Sequence, residues 1–540
     1  MQFPLWQNYC ALLCMKWIFF CWLFIPLALT AQPVIVTGAM GERFSVRTVA
    51  QNLSDPWELT YAPDNYLWIT EARGYRVSRI HPRTGEKQVL LDLNNRKNFL
   101  RYDVIPDTED GGKPWPQSGL MGMAVHPQLL QGQPYVYVAY LYYFEGANQQ
   151  GVGCLPGKRG CFFRTRIERY TYHPNTHTLD SAVIICDSIP GSNDHNGGRL
   201  IIAPVNNQYY LFYSVGDMGA GQYDNAGRPN HAQDINAYEG KILRFQAQPD
   251  STITGPDAWI PEDNPFNAHR RNAVWTYGHR NPQGIVFNKN NGRLYEVEHG
   301  PFSDDEINLI TPGCNYGHPL VIGYNDGNYN QLAAGATTDT TLPGKWHTTY
   351  PTIYSEQENA KAMGSNYRNP LNSLYPAANR MLTALLPKVI RGDNENKEWL
   401  SEAPSGMTLY NADVIPGWKN SLLIATLKGG RMIRQQLNAS GDSIISDTML
   451  YFKDQVRYRD VAVSADGWRI YLATDSATRS SGPTGDKGIE YENRGVILEF
   501  TYMGTPPKQQ PKPAPAAPPA ANTASPAIPA HRHYTYTVDQ

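Results

Sequence analysis

The residues best suited to chemistry in this chain stand in short polar clusters that follow strand-like segments. They are Asp194-His195, Asp217, residues 279–284 (His-Arg-Asn-Pro-Gln-Gly), His299-Gly300-Pro301, Lys428, Arg457, Arg459 and Asp475. A histidine with a pKa of ~6.5 can accept a proton at neutral pH, Lys and Arg bind carboxylates, and oxygen-rich turns bind calcium. Together the clusters predict one site with a histidine base, a polyanionic cofactor and a calcium ion.

His195 is the candidate base. It precedes Asn-Gly-Gly at residues 196–198, a turn that places an imidazole at a loop tip. Asp217 ends the next strand-like segment and is the best candidate to fix the tautomer of that imidazole. A single loop histidine is more often structural, so the interpretation depends on the neighbouring clusters.

The cationic cluster consists of Lys428, Arg457 and Arg459. Residues two apart on a strand point to the same face, so the two guanidinium groups converge and repel each other unless an anion lies between them. The arginine fork matches carboxylates, which favours a ligand with several of them. The alternative is a surface salt bridge to the adjacent Asp460.

Residues 298–306 (Glu-His-Gly-Pro-Phe-Ser-Asp-Asp-Glu) combine carboxylates with a Gly-Pro corner. Carboxylate and carbonyl oxygens are the ligands that calcium prefers, although the spacing is not that of an EF-hand. A solvated acidic loop is the alternative. The glycine-rich residues 216–221 do not match a dinucleotide fingerprint, which argues against a nicotinamide enzyme.

Composition restricts the fold and the partners. The net charge is −2, from 47 Lys and Arg against 49 Asp and Glu, and gives no reason to expect nucleic acid or an acidic membrane surface as partner. The chain has 34 Tyr, 46 Gly and 41 Pro, with only 18% charged residues, which favours a turn-rich all-β protein.

Six weak repeats organise the chain. In each, a turn leads into a second strand of aromatic and β-branched residues that ends on or near a polar residue. The turns and second strands are 62–65 with 67–71, 125–127 with 135–138, 203–207 with 210–213, 287–292 with 294–297, 415–418 with 422–425, and 464–467 with 470–473. Recurrence at a spacing of roughly 50–130 residues predicts a six-bladed β-propeller with insertions. A pair of β-sandwiches, the alternative, should show no such recurrence.

The two ends differ from the rest. Lys16, an apolar run at 17–29 and the small residues Thr30-Ala31 have the order of a secretory signal, which predicts a signal peptide at 1–31 and a secreted or periplasmic protein. A membrane anchor is the alternative, but the run is shorter than the ~20 residues that a spanning helix needs. Residues 505–540 are rich in Pro and Ala and predict a disordered tail, which leaves 32–504 for the propeller.

Cysteine usage agrees with export. Cys154 and Cys161 flank a glycine-containing loop, a spacing that suits a local disulfide in an oxidising compartment. Cys186 and Cys314 are interpreted as packing residues. The sequence has no Cys-x-x-Cys-His for a c-type haem and no zinc pattern.

Taken together, the motifs resemble those of the soluble pyrroloquinoline quinone (PQQ)-dependent glucose dehydrogenases and the related aldose sugar dehydrogenases. The segments that carry the resemblance are 194–200, 278–284, 303–310, 315–317 and 457–461, and it extends over about residues 53–502. It implies a six-bladed propeller with PQQ on its axis and a bound calcium. The implied reaction oxidises an aldose such as glucose at the anomeric carbon to the lactone.

The resemblance also implies roles. His195 would remove the proton of the anomeric hydroxyl, Asp217 would hold His195, and Arg280 would polarise the reactive quinone oxygen. The implied cofactor-binding residues are Arg280, Asn281, Gln283, Lys428, Arg457, Arg459 and Asp475, and the implied substrate-binding residues are Gln117, Asp194 and Trp399. The implied calcium ligands are the carbonyls of Gly300 and Pro301 and, at a second structural site, Asp305, Glu306, Tyr316, Ile322 (through its carbonyl), Tyr324 and Asp326.

Two departures from the family pattern matter, and the first of them leaves the substrate open. His299 stands where the glucose enzymes carry glutamine, as in the broader aldose dehydrogenases, whereas residues 303–308 look like the glucose type. Residues 327–399 match the family poorly, so no distal calcium ligand is placed there. The physiological electron acceptor is not identified, and a homodimer remains open. A non-catalytic sugar- or protein-binding propeller is the second hypothesis; it should lack the base, the cations or the Gly-Pro corner.

Overall fold

The computed structural model describes residues 34–99, 101, 103, 118–147, 160–394, 396–475 and 493–504. The predicted signal peptide and Pro/Ala-rich tail, together with Gln117 and Cys154, lie outside these residues. The boundaries at 31 and 504 therefore remain predictions.

The described residues form strands and a few short helices. The strands are β1 (Val34–Thr37), β2 (Arg43–Ala50), β3 (Pro56–Tyr61), β4 (Leu67–Glu71), β5 (Arg76–Ile80), β6 (Lys87–Asp92), β7 (Leu120–Val125), β8 (Tyr135–Phe144), β9 (Phe163–His173), β10 (Thr178–Gly191), β11 (Leu200–Val205), β12 (Gln208–Val215), β13 (Lys241–Gln246), β14 (Val274–Tyr277), β15 (Pro282–Asn288), β16 (Arg293–Glu298), β17 (Asp305–Ile310), β18 (Asn372–Leu374), β19 (Pro404–Tyr410), β20 (Ser421–Thr426), β21 (Met432–Gln436), β22 (Met449–Tyr451), β23 (Tyr458–Val463), β24 (Arg469–Thr474) and β25 (Ile497–Tyr502). The α-helices are α1 (Glu356–Met363) and α2 (Asn379–Arg391), and single 3₁₀ turns lie at Asn94–Arg96, Tyr223–Asn225, Pro256–Trp259, Gly364–Asn366 and Asn396–Glu398.

These strands form six antiparallel sheets arranged as blades around an axis. Blades 1 to 5 each use four consecutive strands, from β3–β6 to β19–β22, and blade 6 has the order β1-β2-β25-β24-β23. The first strand of each blade contacts the first strand of the next, and the ring closes from β23 to β3. The predicted six-bladed β-propeller is confirmed. Because blade 6 combines strands from both ends of the described chain, hydrogen bonds between those ends close the ring.

The hydrophobic core lies between neighbouring blades. Trp68 of blade 1, for example, packs edge-on against Tyr172 of blade 2, with ring centroids 5.1 Å apart, and both rings are buried. Large aromatic side chains fill this space because each sheet buries both of its faces against its two neighbours.

Each predicted repeat is the hairpin between the first and second strands of a blade. Residues 62–65 connect β3 to β4, for example, and residues 464–467 connect β23 to β24. In an antiparallel hairpin the start of the first strand and the end of the second lie at the same edge. His195 and Arg280 precede first strands, and Lys428 and Asp475 follow second strands, so all four lie at one face of the ring.

β-Bulges near the start of two first strands redirect the side chains of two predicted site residues. The register shifts between Pro282 and Gly284 in blade 4 and between Tyr458 and Asp460 in blade 6, which leaves Gln283 and Arg459 as the extra residues. A bulge redirects a side chain that regular pairing would place on a sheet face. The two side chains meet, with Arg459 Nη1 2.9 Å from Gln283 Oε1.

A buried ion network lies where the first strands of several blades meet. Arg199 Nη1 donates to Glu58 Oε2 of blade 1 (2.6 Å) and to Asp460 Oδ2 of blade 6 (2.7 Å). Arg199 Nε donates to the carbonyl of Gln283 in blade 4 (2.9 Å), and Leu59 N donates to Asp460 Oδ2 (2.7 Å). One arginine of blade 3 therefore ties three other blades together.

Three of the cysteines lie in the described residues, and one of them is in a disulfide. Cys161 is disulfide-bonded, whereas Cys186 and Cys314 are free thiols. Since Cys154 lies outside the described residues, its pairing with Cys161 remains a prediction.

Replacing Arg199 by alanine should strongly destabilise the propeller. The change leaves the buried carboxylates of Glu58 and Asp460 without their shared cation, which typically costs about 3–5 kcal/mol. Urea unfolding would measure it, with Arg469→Ala as control, because the exposed Arg469–Asp466 pair should contribute at most about 1 kcal/mol. Equal midpoints for the two variants would contradict a structural role for the network.

Candidate active site

His195 and Asp217 form a hydrogen-bonded pair at the face where the first strands begin. His195 Nδ1 lies 2.8 Å from Asp217 Oδ1, and Gly219 N donates to the same oxygen (3.0 Å). His195 has a φ of 48°, a left-handed conformation that is uncommon for a residue other than glycine. The turn predicted from Asn-Gly-Gly therefore exists, and it holds the imidazole against the carboxylate.

Asp217 is a centre of several hydrogen bonds. Its Oδ2 accepts from His318 Nε2 (2.8 Å), Tyr350 OH (2.9 Å) and Asn230 Nδ2 (3.2 Å). Burial alone would raise the pKa of Asp217, but its hydrogen bonds and electrostatic attraction to the His195 and His318 rings more than offset this effect and place the pKa well below its usual value. The carboxylate is therefore ionised, which fixes a proton on His195 Nδ1 and leaves Nε2 as the basic nitrogen.

Sequence reasoning missed His318 and Tyr350. Both come from residues 311–371, which the chain inserts between β17 and β18 of blade 4. Neither residue belongs to a strand end or to a charged cluster, so no local pattern signals its approach to Asp217.

Gln222 connects the base to Arg280 and was also missed. Its amide nitrogen donates to His195 Nε2 (2.8 Å), and its Oε1 accepts from Arg280 Nη2 (3.2 Å). Asp194 Oδ2 lies 3.8 Å from His195 Nε2 and thus borders the same space. The basic nitrogen and the guanidinium group therefore face one region.

Arg280 is a buried cation with only neutral side-chain partners in the described part of the chain. Besides Gln222, its guanidinium donates to the carbonyl of His299 (3.2 Å), and its Nε has no hydrogen-bond partner. Its backbone is fixed because Glu298 Oε2 accepts from the N–H groups of Arg280 (2.6 Å) and Asn281 (3.2 Å). A buried charge without an opposite charge is costly, so this group is suited to binding an anion.

His299 lies between the cations. Asn281 Nδ2 is 3.4 Å from its Nδ1, while its Nε2 is buried without a partner. Burial, followed by the positive charge of the neighbouring Arg280, holds the pKa of His299 well below its usual value. His299 is therefore neutral and offers an uncharged polar group to the site.

The guanidinium groups of Arg457 and Arg459 converge, as their spacing predicts, and the anion between them is a carboxylate of the protein, Asp475. Both guanidinium groups donate to Asp475 Oδ2, at 3.2 and 2.7 Å. The alternative, a pair with the adjacent Asp460, is not observed, since Asp460 binds Arg199. The Arg459 guanidinium also lies 4.2 Å from the centroid of the Trp57 ring, a cation–π contact that sequence reasoning missed.

Lys428 extends the cationic surface into blade 5. Its Nζ donates to the carbonyls of Trp399 (2.7 Å) and Ser401 (3.1 Å). Burial lowers the pKa of Lys428, and the negative charges of Asp305 and Glu402 partly offset that effect.

The Gly-Pro corner is held by Asp305. Asp305 Oδ1 accepts from Gly300 N (2.9 Å) and Ser401 Oγ (2.6 Å), and Oδ2 accepts from Glu402 N (2.8 Å). Burial raises the pKa of Asp305 to about 6, against the effect of these hydrogen bonds. Within the described residues, the buried carbonyls of Gly300 and Pro301 accept no hydrogen bond.

Trp399 lies beside this corner. Its ring packs edge-on against Phe302, with centroids 5.3 Å apart, and its Nε1 is buried without a partner. The indole therefore has a donor that a ligand could use.

The other predicted calcium ligands are only partly brought together. Glu306 Oε1 accepts from Gly323 N (2.9 Å), which places it beside Ile322. Tyr316 turns its hydroxyl to the carbonyl of Leu309 (2.6 Å) instead. Tyr324 donates to Leu371 O (3.3 Å), and the exposed Asp326 accepts from Asn328 N (3.1 Å).

Glu356 of α1 was not predicted. Its carboxylate accepts from Ile322 N and Gly327 N, both at 2.9 Å. This residue belongs to the segment 327–399, in which the sequence placed no calcium ligand, and it closes the turn that carries Asp326.

The chain is similar in sequence to known proteins. The sequence profile of the Glucose / Sorbosone dehydrogenase family matches residues 53–355 and 398–481. Quinoprotein glucose dehydrogenase B of Acinetobacter calcoaceticus is 32% identical over 483 residues, which cover 86% of this chain and 92% of that protein. The aldose sugar dehydrogenase YliI of Escherichia coli is 26% identical over 440 residues, 80% of this chain and 91% of that protein.

Solved structures share the fold. The PQQ-bound aldose sugar dehydrogenase of Streptomyces coelicolor aligns with a TM-score of 0.53 at 23% identity, over 85% of this chain and 98% of its own. The apo soluble aldose sugar dehydrogenase of Escherichia coli aligns with a TM-score of 0.56 at 23% identity, over 85% of this chain and 99% of its own.

No helix in the described ranges is long and apolar enough to cross a membrane. The resemblance drawn from the motifs is confirmed by the family profile and by the 32% identical relative. The chain belongs to the glucose/sorbosone dehydrogenase family of soluble PQQ-dependent sugar dehydrogenases, and it is an enzyme of that type.

Proposed function

We propose that this protein oxidises an aldose at the anomeric carbon to the lactone, with PQQ and calcium as cofactors and His195 as the general base. The observation that carries the proposal is the buried guanidinium of Arg280. It has no carboxylate partner among the described residues, and Gln222 joins it to the His195–Asp217 pair. A base and an anion site therefore share one enclosed region, as the transfer of a proton and a hydride requires.

The residues present fit a planar cofactor with three carboxylates. Arg280 Nε and His299 Nε2 are buried donors or acceptors without partners, and Arg459 and Lys428 add positive charge. We assign cofactor binding to Arg280, Asn281, Gln283, Lys428, Arg457 and Arg459, with Asp475 holding the last two. Polyanion binding would offset the cost of burying these cations.

Calcium would bind at the Gly-Pro corner. The free carbonyls of Gly300 and Pro301 are hard oxygen donors, and Asp305 fixes the backbone that presents them. A second, structural calcium remains a proposal for Asp305, Glu306, Tyr316, Ile322, Tyr324 and Asp326, to which we add Glu356. Because hydrogen bonds occupy both oxygens of Asp305, its contribution there would be to hold the loop.

The protein's own groups would act as follows. Bound PQQ supplies a two-electron acceptor for the hydride of the anomeric carbon. His195 Nε2 takes the hydroxyl proton, and Asp217 stabilises the resulting imidazolium. Arg280 stabilises negative charge that develops beside it. Asp194 and Trp399, with Gln117 outside the described residues, would position the sugar.

The aldose itself is left open between glucose and related sugars, because His299 departs from the glucose enzymes. Secretion or a periplasmic location remains a prediction from the N-terminal residues. A non-catalytic propeller is not favoured, because the base, the cations and the free carbonyls lie at one face and the chain belongs to an enzyme family.

Replacing His195 by alanine should slow cofactor reduction by about 10²–10⁴-fold, the usual contribution of a positioned base. PQQ affinity should stay nearly unchanged, because it depends on Lys428 and the arginines. Stopped-flow absorbance with saturating aldose would measure the rate, and Asp217→Asn should show a smaller loss. His173→Ala, an exposed histidine on β9, is the control. Parental speed in His195→Ala would exclude this residue as the base.

Replacing Arg459 by alanine should weaken PQQ binding by about 1.5–3 kcal/mol, the scale of a hydrogen bond to a charged group. Fluorescence titration of the cofactor-free protein would measure the affinity, and a thermal melt would show that the variant is folded. Arg469→Ala on β24, which lies away from the site, should bind as the parent does. Unchanged affinity in Arg459→Ala would remove it from the cofactor site.

Calcium and PQQ should bind cooperatively, because two neutral carbonyls hold a dication weakly unless the cofactor adds oxygen ligands. PQQ should therefore bind more weakly in the presence of a calcium chelator. Reconstitution with both, followed by dye reduction over a panel of aldoses, tests the whole function. Equal PQQ affinity with and without chelator would rule out the coupling, and no reduction with any aldose would rule out the activity.

A further inference from the structure

A cluster of three buried residues lies next to the backbone of Arg280, and no ligand has been assigned to it above. It consists of His279, Glu296 and Glu298, with relative exposures of 0%, 0% and 2%. The glutamates alternate on β16 and so point to one face of the sheet. One ligand atom from each of the three residues lies within 4.8 Å of the others.

The imidazole of His279 is oriented towards the two carboxylates. Its Nε2 lies 2.9 Å from Thr276 Oγ1, and its ring stacks on Tyr316 with centroids 4.7 Å apart. Its Nδ1 lies 3.4 Å from Glu298 Oε1 and 3.8 Å from Glu296 Oε2, and it has no hydrogen-bond partner.

These separations suit metal ligation better than hydrogen bonding. A hydrogen bond between nitrogen and oxygen is about 2.7–3.2 Å long. Two ligands that bind one ion at about 2.0–2.2 Å with a tetrahedral angle lie about 3.4 Å apart. The hydrogen bond from the other imidazole nitrogen to Thr276 matches the outer-shell contact that orients most metal-binding histidines.

The negative charge of the cluster is poorly compensated. In the part of the chain that the structure describes, Glu296 and Glu298 form no ion pair with a lysine or arginine. One amide group, Asn308 Nδ2, donates to Glu296 Oε2 (3.1 Å) and is also shared with Glu298 and Glu306 (3.5 and 3.0 Å). Glu296 Oε1 and Asn308 Oδ1 are buried without partners. Buried carboxylates need a cation or protons to be tolerated.

We propose that His279 Nδ1, Glu296 and Glu298 bind a divalent transition-metal ion, with Zn²⁺ as the best match. An imidazole nitrogen favours Zn²⁺ over Ca²⁺, which prefers oxygen ligands alone. The ion is distinct from the calcium proposed at Gly300 and Pro301. Glu298 Oε2 also accepts from Arg280 N and Asn281 N, so the ion anchors the backbone that presents Arg280.

Zinc binding by the full chain tests the proposal without PQQ or sugar. Metal-depleted protein is dialysed against Zn²⁺ with excess Ca²⁺, which fills the oxygen-only sites, and zinc per chain is measured by mass spectrometry. The parent should retain one Zn²⁺. Glu296→Gln keeps the size and the contact to Asn308 but removes the charge, and should weaken binding by at least about 100-fold. Thr276→Val should weaken it by about 10–100-fold through the outer shell.

Glu42→Gln is the matched control. Glu42 is a buried glutamate whose Oε1 accepts from Trp418 Nε1 (2.8 Å) and Tyr451 OH (3.0 Å). The Glu42→Gln protein should bind zinc as the parent does. Absence of zinc from the parent, or equal zinc retention by Glu296→Gln, would overturn the proposal. The buried carboxyl groups would then be stabilised by shared protons and not by a metal ion. An equal loss in Glu42→Gln would overturn it as well. If Glu296→Gln does not fold, Thr276→Val decides.

Discussion

The ion network of Arg199 is the interaction on which the rest of the molecule depends. A single guanidinium group of blade 3 binds carboxylates of blades 1 and 6 and a carbonyl of blade 4. Burial raises the pKa of Glu58 to about 7, against the lowering effect of Arg199, and the neighbouring Asp460 raises it further. Removing one partner of such a buried network is costly, because it leaves a buried charge without its counter-charge.

The same network sets the geometry of the active site. Asp460 directly follows Arg459, and the carbonyl that Arg199 binds belongs to Gln283. Gln283 and Arg459 are the extra residues of two β-bulges, and their redirected side chains meet near the axis. Gly406 passes so close to Asp460 that a Cβ atom at this position would overlap the carboxylate. The same contacts therefore fix the first strands near the axis and position the side chain of Arg459.

The residues of the candidate active site are divided among the blades. Blade 3 supplies His195 and Asp217, blade 4 supplies Arg280 and the Gly-Pro corner, and blades 5 and 6 supply cations. The insertion in blade 4 adds His318, which together with His195 keeps Asp217 ionised. Burial of His299 beside Arg280 keeps that imidazole neutral. Such a concentration of buried positive charge is costly to the fold and is retained where it serves a ligand.

The six hairpins, the strand ends that carry the site and the His195–Asp217 pair could be predicted from the sequence. Turn residues and β-formers are local signals, and a recurring hairpin can only bury both its faces by joining a ring. The same signals could not indicate that Asp475 forms ion pairs with Arg457 and Arg459, or that Asp460 forms an ion pair with Arg199.

Gln222, His318, Tyr350 and Trp57 became part of the site only in the tertiary structure. Gln222 lies in a loop, His318 and Tyr350 lie in a long insertion, and Trp57 lies at a register shift of blade 1. Local sequence pattern does not reveal the contacts of such positions. The sequence alone determined which groups stand at the rim of each blade. Closure of the ring decided which of them touch, because a contact between blades depends on the packing of every blade between them.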